Sequence, residues 1–212
     1  MIMTRSLRAQ QTTEYPRAET IYVLGTSEDL RRLDKKFFDD NITIGVNQSY
    51  LRAEQVGSEL TYWVTLDESF KFFFWMHGDT SPHTYKFIWK RYCLDHRFKK
   101  LKKVCREDCI RIYDHRPLGQ VFKATLDQPI ILDQRKYTII TAISIATALR
   151  PKEIRLRGVA LTGKYIDATI QTKWDNYYEE IGNYLKGFVW PALKRMGIKF
   201  VNETVNSQIK FE

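Results

Sequence analysis

The chain has 212 residues, of which 43% are apolar, 28% charged and 14% aromatic, with only 10 Gly and 6 Pro. Such a composition can fill a core and excludes wholesale disorder, collagen-like repeats and low complexity, and no run of about 18 uncharged apolar residues offers a transmembrane helix. The 34 Lys and Arg outweigh 25 Asp and Glu to give a net charge of +9, which points to a polyanionic partner or a solvated basic face.

Residues 1–19 lack the apolar run of a secretory signal and read as a polar leader. With only 3 Cys, a disulfide framework is not expected, and a reducing, cytoplasmic setting is. Thr20–Leu24 (TIYVL) reads as a buried strand that ends at Gly25. Thr26 or Ser27 is expected to cap a helix with Glu28 and Asp29 in its first turn, where carboxylates suit the dipole. Leu30, Leu33 and Phe37 follow at helical spacing. Ile42–Val46 is a second strand ending at Asn47, and residues 51–56 are a short helix closed by Gly57. Residues 61–66 are a third strand ending at Asp67.

Strands alternating with helical segments specify an α/β fold with a parallel sheet and crossover helices. Ligands of such sheets bind beyond the carboxyl ends of the strands. Gly25, Asn47 and Asp67 stand at three such ends.

Residues 68–116 break this rhythm with aromatics (KFFFWMHG, YKFIWKRY) and then a basic run (HRFKKLKKVCRED). The stretch reads as a basic, aromatic-rich helical insertion at about residues 70–130. Lys86 to Arg116 holds 11 basic and 4 acidic residues, most of the net charge in about one seventh of the chain. Lys90, Arg91, Arg97, Lys99, Lys100, Lys102 and Lys103 are the candidate contacts to a polyanion, with neighbouring rings able to stack on bases. Alternatively the rings pack the insertion onto the sheet. Cys93, His96, Cys105 and Cys109 have a pairwise spacing that suits tetrahedral zinc, or they share the faces of a plain helix, and no metal site is assigned.

Residues 129–132 (PIIL) are a short strand. Residues 138–149 (TIITAISIATAL) are apolar around nearly the whole circumference and read as a buried helix. Residues 153–161 form a strand broken at Gly158. Its Arg155 and Arg157 imply either an edge strand or anion-binding groups, because a central parallel strand is normally apolar on both faces. A long helix follows to Gly197, kinked or divided at Pro191, and Lys199–Asn202 is the last strand. With no repeat and no linker, residues 20–212 read as a single domain.

The stretches VLGTSEDLRRLD, TIGVNQSY, YWVTLD, AISIATALRPKEIRLRGVAL and GIKFVNETVNSQIKF, in this order, resemble a known Rossmann-like family. It comprises the bacterial sialyltransferases of glycosyltransferase family 42, the archaeal 6-hydroxymethylpterin diphosphokinase-like proteins and small phage proteins of the same build. The resemblance covers residues 20–67 and 138–211. It implies a Rossmann-like sheet and a nucleotide site. The family's first loop, GxGPSL, corresponds to Gly25-Thr26-Ser27-Glu28-Asp29-Leu30, without the second Gly and the Pro. Asn47, followed by Gln48, matches the family's nucleotide-contacting Asn, and Asp67 matches an Asp at the end of the third strand. Gly158 matches the Gly of a Gly-Val/Ile-Asp pattern whose Asp is here Ala160. Tyr165 stands for one of two tyrosines that grip the cytidine monophosphate phosphate. No histidine follows His115, so the sialyltransferase base has no counterpart.

The resemblance implies a nucleotide-dependent transferase, foremost a glycosyltransferase with a nucleotide-activated sugar as donor and a polyanion or nucleic acid as acceptor, located in the cytoplasm (a host's, if phage-encoded). Gly25, Thr26, Ser27, Asn47, Gln48, Gly158 and Tyr165 would bind nucleotide, and Asp67 would be catalytic. A divalent metal is neither required nor excluded. Two other readings stay open: a diphosphokinase-type pyrophosphate transferase, and a non-catalytic binder of nucleic acid or acidic protein.

Overall fold

The computed structural model describes residues 19–66, 83–89, 110–115, 131–132, 137–161, 175–207 and 209–211. Eight parallel strands form one sheet: β1 (Thr20–Leu24), β2 (Ile42–Val46), β3 (Tyr62–Val64), β4 (Tyr85–Trp89), β5 (Ile110–His115), β6 (Ile131–Leu132), β7 (Glu153–Arg157) and β8 (Lys199–Asn202). Their order is β6-β5-β4-β3-β2-β1-β7-β8. The chain steps outward from β1 to β6, then returns to the far side of β1 for β7 and β8. Each step between parallel neighbours needs a crossover. Helices α1 (Lys35–Asp40) and α2 (Tyr50–Gln55) follow β1 and β2, α3 (Thr138–Ala148) precedes β7, and α4 (Asp175–Tyr184) and α5 (Trp190–Arg195) join β7 to β8. This is the expected α/β fold, in a Rossmann-like arrangement.

Period-two alternation sorts the strand residues onto two faces. Ile21, Val23, Ile44, Val46, Val64, Phe87, Ile154, Leu156 and Phe200 pack in one core with α3 and with Ile181, Leu185, Val189 and Leu193 of the α4–α5 crossover. Every residue of α3 from Ile139 to Thr147 is buried, as its all-round apolar sequence requires. The hydroxyls of Thr141, Ser144 and Thr147 donate to the carbonyls of Tyr137, Ile140 and Ile143. These hydroxyls are thus satisfied by the preceding turn. On the opposite face Leu24, Leu30, Leu33, Phe38, Leu60 and Trp63 are buried, and Tyr22 meets Phe37 edge-on at 4.8 Å.

Two elements differ from the sequence expectation, and a third bears it out. The helix expected at Ser27 is a five-residue 3-10 turn, Glu28–Arg32, because the Ser27 side chain makes no capping bond. The capping carboxylate is Asp34, whose Oδ1 accepts the Phe37 N–H at 2.8 Å, so the α-helix starts there. Second, the stretch expected to be a helical insertion contributes β4 and β5 to the same sheet. Tyr85, Phe87 and Trp89 alternate with Lys86 and Ile88, a strand period that the aromatic and basic content conceals. Third, the last crossover is divided as Pro191 requires, through a π-helical turn over Leu185–Val189. Proline has no N–H for the carbonyl four residues back and its ring crowds that carbonyl. The helix widens by one residue, and the Trp190 N–H bonds the Leu185 carbonyl.

Candidate functional site

The strand order reverses between β1 and β7, which makes their carboxyl ends the switch point where open α/β sheets hold ligands. At this point the two strand exits are joined. The Gly25 N–H donates to the Arg157 carbonyl at 2.7 Å and the Ser27 N–H to the Gly158 carbonyl at 2.9 Å. A Cβ on Gly25 would lie 2.2 Å from the Gly158 oxygen. Gly25 therefore serves the contact between two backbones. Gly158 turns with φ of +66°, and Leu30 packs against the space where its Cβ would stand. Gly25, Thr26 and Ser27 form the loop that the resemblance assigns to nucleotide binding. Two of its N–H groups are spent on β7, the following turn is only five residues long, and Glu28 and Asp29 occupy its start. The Ser27 hydroxyl is buried and has no hydrogen-bond partner among the described residues. Thr26 is half-buried.

One strand away, Asn47 ends β2 in a left-handed conformation, φ 46°. Two β3-side groups clamp it. The Trp63 indole N–H donates to the Asn47 carbonyl at 2.8 Å, and the Thr65 hydroxyl donates to Asn47 Oδ1 at 2.8 Å. Trp63 in β3 and Thr65 just past its end are two apart in the chain, and both bond Asn47. A strained non-glycine residue held by two such bonds is over-determined by its surroundings. Gln48, next in the chain, is buried. The sheet thus brings Gly25, Thr26, Ser27, Asn47, Gln48 and Gly158 to one rim on three neighbouring strands.

The arginines of β7 fit neither sequence expectation. β7 lies between β1 and β8, and both guanidinium groups are paired. Arg155 bonds Glu153 at 2.8 Å and Glu203 at 2.6 Å, Arg157 pairs with Glu203 at 2.7 Å, and Lys199 closes the row on Glu153 at 2.9 Å. Burial pushes the Glu153 pKa up, but hydrogen bonds from Lys199 and Arg155 outweigh it and hold the carboxyl below its ordinary value. The hydrogen bond to Glu153 likewise raises Arg155. This charged row occupies the face of β7 and β8 opposite the main core.

Beyond β7 the chain is fastened by the tail. The Val159 N–H donates to Thr204 Oγ1 at 2.9 Å, and the Val159 carbonyl accepts from Ser207 Oγ at 3.0 Å and Asn202 Nδ2 at 3.4 Å. Sequence reasoning missed this role and the clamp on Asn47. The signals were an amide and two hydroxyls spaced through NETVNS after the last strand, and Trp63 and Thr65 alternating in TYWVT.

The remaining sequence expectations lie outside the described residues: Asp67, Tyr165, the basic set Lys90, Arg91, Arg97, Lys99, Lys100, Lys102 and Lys103, and the group Cys93, His96, Cys105 and Cys109. Among the described residues no group of three or more His, Cys, Asp and Glu is placed to hold a metal ion. No helix among them is long and apolar enough to cross a membrane.

No protein-family model matches the chain, and no curated protein matches it. Among solved structures, thiamine pyrophosphokinase from Bacillus subtilis aligns with 87% of this chain and 59% of its own, at 11% identity and a TM-score of 0.37. The chain thus spans less than two thirds of that protein's length, and a likeness this low carries no argument about function.

Proposed function

We propose that the protein is a nucleotide-dependent transferase whose nucleotide lies over the carboxyl ends of β1, β2 and β3, beside the β1/β7 reversal. One observation carries the reading: Asn47, at the end of β2 next to that reversal, is held left-handed by Trp63 and Thr65. With Oδ1 engaged by Thr65, the Asn47 amide nitrogen is oriented as a donor suited to a carbonyl of a base or an oxygen of a ribose. Asp67, two residues past Thr65 in sequence, is the candidate catalytic carboxylate. The resemblance to family 42 adds the finer reading, glycosyl transfer from a nucleotide-activated sugar, with the basic segment Lys90–Lys103 engaging a nucleic acid or other polyanion as acceptor. Pyrophosphate transfer from a nucleoside triphosphate is the variant that the diphosphokinase-like relatives suggest.

A second reading has its own observation. The Gly25 and Ser27 N–H groups are spent on β7, and acidic residues stand beside them. A loop so closed favours a non-catalytic binder of nucleic acid or acidic protein on a transferase fold.

A thermal shift against nucleotides and nucleotide sugars separates the two. A bound member raises the melting temperature in proportion to RT ln(1 + [L]/Kd). Asn47→Gly, which keeps the left-handed backbone without strain, is expected to remove that shift while leaving the far-UV spectrum unchanged. No shift with any member, together with salt-sensitive retardation of DNA or RNA, would replace the transferase with the binder.

A further inference from the structure

The described residues 203–207 and 209 form a strap that follows β8 and crosses back onto the exit of β7. Asn202 is its hub. The side chain is buried, and its amide nitrogen donates to the Val159 carbonyl, to Ser207 Oγ at 2.8 Å and to the Ile209 carbonyl at 2.9 Å. Its Oδ1 accepts the Thr204 N–H at 3.1 Å. The fully buried Thr204 then presents its hydroxyl to the Val159 N–H. Ile209 fills the space beside Gly182 of α4, where a Cβ would lie 2.6 Å from it. The strap is thereby pinned to the helix layer as well as to the sheet.

The β7 exit needs such support. Gly158 and Leu161 both have positive φ, +66° and +57°, and the second is not a glycine. On its other side the same exit is held through Arg157 and Gly158, whose carbonyls accept from Gly25 and Ser27. Val159 is the next residue, and the strap satisfies both of its backbone groups. We infer that the strap sets the β7 exit for ligand binding at the switch point, with Asn202 and Thr204 as positioning residues that touch no ligand. The inference rests on the nucleotide reading above. Loosening the strap is expected to lower the population of the binding-competent exit, and ligand affinity falls with that population.

The test compares Thr204→Val, which removes the acceptor at nearly constant shape, with Thr204→Ser, which restores it. Ser207→Ala is the milder second variant, since it removes one of the two donors to the Val159 carbonyl. Two readouts are taken on the full chain: amide hydrogen exchange of segment 158–161 against the core segments 21–24 and 44–46, and the dissociation constant of the best nucleotide from the thermal-shift panel. Thr204→Val is expected to raise exchange in 158–161 by about tenfold, and Ser207→Ala by less, while the core segments stay unchanged. Nucleotide affinity is expected to fall about fivefold in parallel, with Thr204→Ser near wild type. Exchange rising evenly through the core would reduce the strap to general stability and overturn the inference. Faster loop exchange with unchanged nucleotide affinity would overturn it too, while leaving the transferase reading in place. A wild-type chain that binds no nucleotide would overturn the transferase reading, and the inference with it.

Discussion

Gly25→Ala is the sharpest perturbation of the rim. The new methyl would sit 2.2 Å from the Gly158 oxygen, 2.8 Å from its carbonyl carbon and 2.9 Å from Val159 Cγ2. Two of those atoms are backbone and cannot rotate away, so the β1 exit must separate from β7. Separation stretches the Gly25–Arg157 and Ser27–Gly158 hydrogen bonds, each worth about 1 kcal/mol net. Forcing volume into a packed junction costs a further ~1–3 kcal/mol. The expected loss is about 3–5 kcal/mol, a large part of the ~5–15 kcal/mol that holds a typical domain folded. Urea unfolding followed by circular dichroism should show a lower midpoint with an unchanged slope. Gly187→Ala is the control, because nothing lies within 4 Å of its would-be Cβ. It should be neutral or gain up to ~1 kcal/mol from reduced backbone freedom in the unfolded chain. If Gly25→Ala unfolds within about 1 kcal/mol of wild type, the two exits part freely and the joined-rim account is wrong.

Further perturbations test the packing and the charged row. Leu30 is fully buried over Gly158, so Leu30→Ala should cost about 3 kcal/mol by the same urea assay, and a loss below ~1 kcal/mol would show that the turn does not pack there. Glu203→Gln removes the carboxylate shared by Arg155 and Arg157. Both arginines are about one third exposed, which limits the expected loss to about 1–2 kcal/mol, and added salt should narrow the difference from wild type. Glu153 has a lowered folded-state pKa, so its contribution is present above its ordinary value and is lost as pH falls through the lower, folded one. The melting temperature should therefore drop on the acid side of about pH 4.5, and Glu153→Gln should flatten that limb. An equally steep limb in the variant would assign the acid loss to other carboxylates.

Much of the local structure was legible in the residues. β1, β2 and β8 are short apolar runs bounded by Gly25, Asn47 and Asn202, and α3 shows its burial in an apolar circumference. β4 and β5 carried a period-two pattern, but Lys and Arg beside the rings suggested helix and lid, and the tertiary pairing of Tyr62 with Tyr85 and of Lys86 with Ile110 decided otherwise. The candidate site divided in the same way. Asn47 at a strand end was readable from TIGVN, whereas its left-handed backbone and its clamp came from β3.

Sequence alone determined the α/β class, most element positions and the residue types at the strand ends, because these follow from hydrophobic period and from Gly, Asn and Pro acting on their own neighbours. Only the tertiary structure decided that β7 lies beside β1, that Gly25 makes room for Gly158, that Glu203 neutralises Arg155 and Arg157, and that the tail fastens Val159. Each of these is a contact between segments far apart in the chain. Local preference says which face a side chain takes, but its neighbour there depends on how the strands are ordered.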